Sequence, residues 1–599
     1  MYKNFYLLVS LLFLCQFALQ SSAQDVNLSS KKINEKFKNF SCPEKVYIHT
    51  DRDFYIAGEN MFFKSYISGF TSDEKQIQSN IIYLVLRDEK SNIETLITYL
   101  KNGSSSGHIY LPDTLKTGKY ELVAFTNFMR NFDESCYFKK NFLIVNRFDK
   151  TLPTLQFNDT LNIEQSANLV TNKKTNVGAL EIILIKDSFK TRENIKIGLK
   201  LKTEGKTAAI ANLSVTVKEA NFLFDNNFDI VNLLNENKNS VIDIKKKKTN
   251  DTIIDFYPLE RNGIYLRGKI KDKTNQQIKN ECLVLSSPDS IANFQYTFSD
   301  AVGNFQFLVN NYYLGKEVYI KPLHNQISNP DRSISIEDKF TLKESLNPAF
   351  KVLPKYFYNY ITYSQQIVYI QKSYPDSNAV NNREWTFDKI IIPRAYFSPY
   401  LNYNTKDYIQ LNDFNDIVTN IIMRTKLEKV KNTNELFVFD PNAKEYRTTP
   451  AIIFVDGVPI DNADKILSFS SDDVDKIALC LNSRILGNLE LNGLVSINTK
   501  KNKLSSIVFN SPVIKYKLDR IADNSVFKPT NYSTTKIPKY APDFRQLLYW
   551  NPNVSINNNE TANVDFFASD CVSDYVVEVK GILTDGTPIC AYAKIKVYR

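Results

Sequence analysis

The chain has 599 residues, 43% hydrophobic and 13% aromatic, with 75 lysines and arginines against 65 aspartates and glutamates for a formal charge of +10. That composition excludes a disordered or collagen-like chain and leaves room for roughly three to five cores of about 100 to 200 residues each. The positive excess is thin and spread out, with no basic stripe interleaved with aromatics; the run Lys245–Lys248 reads as a solvated loop, so nucleic acid is not an expected partner.

Residues 1–23 read as a signal peptide: Lys3 is the charged start, Phe5–Leu14 is an apolar run too short to cross a bilayer, and Ser21-Ser22-Ala23 supplies small residues for cleavage. The expected product is exported to the periplasm or outer membrane, with no transmembrane segment in the mature chain because no other run approaches about 20 apolar residues. Export permits disulfides, but Cys42, Cys136, Cys282, Cys480, Cys571 and Cys590 are too sparse for a stapled scaffold. Cys571 and Cys590, on neighbouring alternating segments, are the pair singled out for a bridge; Cys282 and Cys480 read as buried thiols.

The segment 40–150 alternates with period two, with Met61, Phe63, Ser65 and Ile67 on one face and Ile82, Leu84, Leu86, Leu122 and Ala124 on further strands. It predicts an antiparallel β-sandwich. The segment 175–258 repeats the style through Ile195, Ile197, Leu199, Leu201, Leu213, Val215 and Val217, with a turn at Thr203–Thr207. A smaller sandwich is expected over 260–345, with a tight turn at Gly303-Asn304. Over 400–503 the period changes: Asn412 can cap a helix burying Phe414, Ile417, Val418, Ile421 and Ile422, and Asp456-Gly457 marks a hairpin, giving a small α+β module. Alternation resumes over 510–599 as a closing sandwich. The fold class is therefore mainly β, serial antiparallel β-sandwiches of macroglobulin or immunoglobulin type with one small α+β module.

Several local patterns invite a chemical reading. His49 stands beside Asp51, Arg52 and Asp53, between two strand-like segments; carboxylates in such a turn cap backbone amides and pair with a guanidinium, so a structural corner is favoured over a catalytic base. Gly103–Gly107 fits Gly-x-Ser-x-Gly with Ser105 central and His108 nearby, but a nucleophile elbow must open a helix in a parallel sheet, so a flexible hairpin loop is expected. His49, His108 and His324 lie far apart, no Cys-x-x-Cys is present, and the acids of Ser470–Lys476 suit a first helical turn better than a cation. Trp550 reads as a packed interdomain residue, and the 34 tyrosines and 40 phenylalanines mostly as residues that suit pleated surfaces. No catalytic, cofactor-binding or metal-binding residue is assigned.

The stretches "EKVYIHTDRDFYIAGENMFFK", "GHIYLPDTLKTGKYELVAFTNFMRNF", Gly263–Val309, "PAIIFVDGVPI", "DDVDKIALCL", "NGLVSINTKK" and "APDFRQLLYWNPNV" together resemble an exported multidomain family of the Bacteroidota. Its members carry a macroglobulin-type domain, a carboxypeptidase-regulatory-like domain and a module similar to the plug of TonB-dependent receptors. Two departures limit the transfer: the Cys-Gly-Glu-Gln thioester of true macroglobulins is missing, and the stretch after Lys500 is too short for a closed receptor barrel. The resemblance implies a non-enzymatic envelope accessory, without a cofactor, that works with an outer-membrane β-barrel or another envelope protein. The alternatives are a surface adhesin with a glycan ligand, or an exported hydrolase using a carboxylate pair.

Overall fold

The computed structural model describes residues 44–146, 180–201, 210–220, 257–323, 332–337, 401–533 and 542–599, short gaps within them excepted, and a few isolated residues between. The expected signal peptide, the expected 203–207 turn, the 245–248 run and His324 lie outside the described residues. Two units emerge, one comprising 262–340 and 387–520, the other 28–261, 341–386 and 521–599.

The second of these holds two sandwiches. The first is built from β1 (Lys45–Thr50), β2 (Phe54–Ile56), β3 (Asn60–Ser68), β4 (Ile81–Arg87), β5 (Asn92–Tyr99), β6 (Ser104–Tyr110), β7 (Gly118–Phe125) and β8 (Phe138–Val145). Its sheets run β1-β3-β6 and β2-β8-β7-β4-β5, with only β2 and β8 parallel among these neighbours. Alternation explains the core: Met61, Phe63 and Ile67 face Leu84, Leu86, Leu122 and Ala124, all buried.

The second sandwich uses β9 (Leu180–Leu184), β10 (Ser188–Lys190), β11 (Asn194–Leu201) and β12 (Ile210–Glu219), completed by β13 (Leu547–Asn557), β14 (Thr561–Phe567), β15 (Asp574–Leu583) and β16 (Pro588–Tyr598). The sheets are β9-β11-β14 and β10-β16-β15-β12-β13, again with only the β10/β16 pair parallel. The sandwiches expected separately over 175–258 and 510–599 are thus halves of one. Neither half closes alone: Ile195, Ile197 and Leu199 of the early half share a single core with Val564, Phe566, Val577 and Val579 of the late half.

The two sandwiches have the same strand order, position for position, from β1 matching β9 to β8 matching β16. The match reaches the turn after the second strand. Glu59 Oε2 accepts the amide of Ile56 at 2.9 Å, and Glu193 Oε2 accepts that of Lys190 at 2.7 Å. Arg52 reaches Glu59 at 3.2 Å where Lys186 reaches Glu193 at 2.5 Å. Everything between Glu219 and Leu547 is therefore an insertion into the second copy, at the connection that in the first copy is the short Asp88–Ser91 turn.

The other unit combines a small sandwich with the α+β module. Strands Ile264–Asp272, Asn304–Val309 and Arg332–Ile336 form one sheet, and Cys282–Ser286, Gln295–Phe298, Glu317–Pro322 and Ile514–Lys517 the other. Ile514–Lys517, expected in the closing sandwich, pairs here instead. In the module, helix α1 (Phe414–Asn420) buries Phe414, Ile417 and Val418 against a five-stranded sheet. Its cap is Asp413, not Asn412: the Asp413 carboxylate accepts the amide of Asp416. Asp456 and Gly457 both have positive φ, 45° and 86°, which is the two-residue turn their sequence signals. Ser470–Asp473 forms a turn rather than a helix, with Asp473 accepting from the Ser470 amide and pairing with Lys503 at 2.8 Å. Lys321 and Asp461, both nearly buried, form an ion pair at 2.5 Å.

Candidate functional site

The outward face of β1-β3 in the first sandwich packs on the outward face of β12-β15 in the second. Alternation fixes what meets there. Leu213, Val215 and Val217 point into their own core, so Ser214, Thr216 and Lys218 point at the first sandwich and are buried all the same. Likewise Val46 and Ile48 serve the core of their own sandwich, leaving Tyr47 and His49 to face the partner.

His49 Nδ1 lies 2.6 Å from Ser214 Oγ, and His49 Nε2 lies 3.8 Å from Glu578 Oε2. A serine, a histidine and an acid thus line up, the arrangement of a hydrolytic triad. The surroundings deny it that work. Ser214 is 0% and His49 1% exposed, and the one Ser214 hydroxyl is also approached by Tyr66 Oη at 2.8 Å and the Lys580 carbonyl at 3.2 Å. A hydroxyl has one proton and two lone pairs, so these three partners saturate it and leave no position for a reacting carbonyl. The Trp550 ring closes the remaining side, edge-on to His49 with centroids 5.2 Å apart. Trp550 is thus packed between sandwiches, as its sequence context suggested.

The cluster extends as a chain of alternating charge. Lys140 meets Asp53 at 2.5 Å, Asp53 lies 3.6 Å from Lys218, Lys218 meets Glu578 at 2.8 Å, and Glu578 meets Lys580 at 2.5 Å. Lys580 ends the chain on Tyr47 Oη at 2.6 Å. Next to it, the Asp51 carboxylate accepts the Phe62 amide at 3.0 Å, Tyr55 Oη at 2.6 Å and Arg52 Nε at 3.1 Å. The Asp51 carbonyl accepts Thr216 Oγ1 from the other sandwich at 2.9 Å.

Burial alone would raise the Glu578 carboxyl, but Lys218 and Lys580 hold it well below the usual range. Burial pushes the His49 imidazole down to about 4, with only partial compensation from Glu578. His49 is therefore neutral at pH 7. Arg52, Lys140, Lys218 and Lys580 pair with Asp51, Asp53, Glu59 and Glu578, and a charged imidazole would add a further positive charge beside them.

The other singled-out residues fall elsewhere. Of Gly103–Gly107 only Gly103 lies in a hairpin turn; the rest is not a loop. Ser104–Tyr110 is strand β6, where Ser105 Oγ meets Ser65 Oγ at 2.5 Å and Thr98 Oγ1 at 2.7 Å inside the first sandwich. Those three hydroxyls satisfy one another, which is why a serine-rich stretch can be buried. A Cβ on Gly107 would lie 2.8 Å from the Asp523 carbonyl and 3.0 Å from Phe63, so glycine is required by close approach. His108 packs on Phe62 and lies 3.8 Å from Asp523.

Cys571 and Cys590 are not bridged to each other. The β15/β16 ladder sets Lys580 opposite Cys590 and Asp574 opposite Lys596, while Cys571 lies beyond that end; the two sulfurs are separated by about 20 Å of strand. Cys282 and Cys480 are free and half-buried, and Cys136 is disulfide-bonded. Among the described residues, no three His, Cys, Asp or Glu side chains converge to hold a metal, and no helix is long and apolar enough to cross a membrane.

No family model matches the chain, and no curated protein matches it. Solved structures do. Salmonella alpha-2-macroglobulin reacted with methylamine aligns at 9% identity and a TM-score of 0.22, over 93% of this chain and 39% of that one. Escherichia coli alpha-2-macroglobulin activated by porcine elastase aligns at 11% identity and a TM-score of 0.23, over 92% of this chain and 44% of that one. The Yersinia pseudotuberculosis adhesin InvE aligns at 8% identity and a TM-score of 0.13, over 50% of this chain and 59% of that one. The chain spans about two fifths of the length of the macroglobulins it matches. Likeness at this level adds nothing to what the strand pairing already establishes.

Proposed function

We propose that the protein is a non-enzymatic interaction scaffold of the bacterial cell envelope, an accessory to an outer-membrane transport or assembly system. Its α+β module is the plug-like element and its small sandwich the carboxypeptidase-regulatory-like element. The observation that carries the reading is the sealed Ser214–His49–Glu578 constellation. A grouping that has the parts of a serine hydrolase is spent on joining two sandwiches, with its hydroxyl saturated and its imidazole neutral. Rigid stacked sandwiches offer loops and sheet edges to other proteins, and an edge supplies backbone donors and acceptors to an added strand. The test is mild crosslinking in native envelopes followed by pull-down of the full chain. Reproducible recovery of one outer-membrane β-barrel supports the reading. A uniformly soluble monomer with no envelope partner, or hydrolysis abolished by Ser214→Ala in a protein that still folds, refutes it.

A further inference from the structure

Residues 126–137 join β7 to β8 in the first sandwich, whereas in its duplicate residues 584–587 suffice to join β15 to β16. The longer connection begins with a 3-10 turn, Phe128–Asn131, that buries Phe128 and Met129 and presents Asn127, Arg130 and Asn131 to residues 257–261, a stretch far away in sequence. Residues 257–260 belong to no helix or strand, so their backbone polar groups depend on partners supplied from elsewhere.

The partners are side chains, placed as a receptor places them around a peptide. Asn131 reads the Tyr257 backbone twice: its Oδ1 accepts the Tyr257 amide at 2.8 Å and its Nδ2 donates to the Tyr257 carbonyl at 2.7 Å. The second Nδ2 proton goes to the Phe128 carbonyl at 2.8 Å, which holds the Asn131 amide in that orientation. Asn127 Nδ2 donates to the Pro258 carbonyl at 3.0 Å while its Oδ1 accepts Arg130 Nη1 at 3.2 Å, and the Arg130 guanidinium lies 3.9 Å over the Tyr257 ring. Beyond the proline, the Asn80 amide donates to the Glu260 carbonyl at 2.7 Å, and Tyr83 Oη donates to the Glu260 carboxylate at 2.9 Å, where Glu260 is 0% exposed.

Three of these contacts select a sequence rather than any extended chain. The guanidinium calls for an aromatic ring at the first position. Proline at the second keeps the residue before it extended and brings no N–H that would need a partner. The Tyr83 hydroxyl calls for an acceptor at the fourth. We infer that the 126–137 connection, together with Asn80 and Tyr83, is a peptide-recognition site for extended Tyr-Pro-x-Glu, and that its ligand is this chain's own segment 257–261, held in cis. Tethering makes the encounter intramolecular, so a site of modest affinity stays filled, and the same sequence supplied in trans competes for it. The inference goes beyond the scaffold role and does not rest on it.

A fluorescein-labelled peptide of residues 255–262 is titrated by fluorescence polarisation into the full chain as wild type, as Tyr257→Ala combined with Glu260→Gln, and as that double variant with Asn131→Ala added, each checked for the wild-type circular dichroism and thermal transition. The double variant, its own segment weakened, binds the peptide about tenfold or more tighter than wild type; adding Asn131→Ala, or replacing the peptide's glutamate with glutamine, loses about tenfold or more. Equal binding by wild type and double variant, indifference to Asn131→Ala, or no binding by the folded double variant up to about 1 mM peptide overturns the inference. If the double variant does not fold, the wild type decides: excess unlabelled peptide speeds hydrogen exchange at residues 257–261 of the chain and the glutamine peptide does not, whereas exchange unchanged by either peptide, or sped equally by both, overturns it. Recovery of a barrel from the envelope bears on none of these results.

Discussion

Protonating His49 is the most direct test of the buried cluster. The imidazole has an ordinary value near 6.5 in the unfolded chain and about 4 in the folded one, because burial disfavours its charge. The folded protein thus binds fewer protons than the unfolded one between those values, so stability falls as pH drops below about 6.5 and goes on falling toward about 4. At about 1.4 kcal/mol per pH unit of displacement the full effect is about 3 kcal/mol, of which about 2.5 kcal/mol is expressed by pH 4.5. Trp550, in edge contact with the ring, is the reporter once Trp385→Phe has removed the other indole. Urea unfolding followed by its fluorescence at pH 7.5, 6.5, 5.5 and 4.5 is compared between that background and His49→Gln, whose amide can still hydrogen-bond Ser214. Losses from Asp53, and the part of the Glu578 shift that its lysines cause, occur in both proteins and cancel. The difference between the two curves should close by about 2.5 kcal/mol from pH 7.5 to 4.5. Curves that stay parallel within about 0.5 kcal/mol would mean the imidazole is not desolvated, and the argument for a sealed interface would fail.

Other consequences are equally open to measurement. Glu578→Gln leaves Lys218 and Lys580 buried without their shared carboxylate, so the Trp550-reported transition should lose about 3–5 kcal/mol, whereas Glu59→Gln, at a partly exposed site, should lose about 1 kcal/mol. Gly107→Ala should lower stability by about 1–3 kcal/mol because its Cβ meets the Asp523 carbonyl, measured by thermal denaturation. Lys321→Met and Asp461→Leu should each destabilise by about 3 kcal/mol or more, and the double variant by much less than the sum, in a double-mutant cycle on the unit that contains them. Thiol titration of the denatured, non-reduced chain should find Cys571 and Cys590 both reactive; peptide mapping that recovers them joined would contradict the strand register.

How much of this was legible follows the range of each interaction. Period-two alternation names core residues such as Ile195, Ile197, Leu213 and Val215 because each strand reports its own faces. The Asp456-Gly457 turn is legible because two adjacent residues carry the whole signal. Burial of Ser214, Thr216 and Lys218 is not: on a strand, a polar alternate reads as solvent-facing whether the other side is water or another sandwich. The union of 175–258 with 510–599 is hidden by the long insertion, although the shared phenylalanine-to-glutamate-asparagine turn, Phe54 to Asn60 and Phe189 to Asn194, carries a faint trace of it. The Gly103–Gly107 stretch misleads because glycine and serine look like loop composition, and only the neighbouring hydroxyls of Ser65 and Thr98 make them core. The Asn412 cap misses by one residue, since two adjacent side chains are both competent and backbone geometry selects Asp413.

The split second sandwich sets an order of events during synthesis. Strands β9 to β12 emerge with their apolar faces complete, yet Ile197, Val215 and Leu199 have no partners until the last strands follow, after every residue of the insertion has been made. For that interval the half-sandwich is a sticky intermediate that must be shielded by a holdase or kept extended, and a nonsense codon anywhere beyond the insertion strands it permanently. Quality control of this protein therefore rests on its final strands, and a proteolytic clip there should release the early strands far upstream as readily as the late ones.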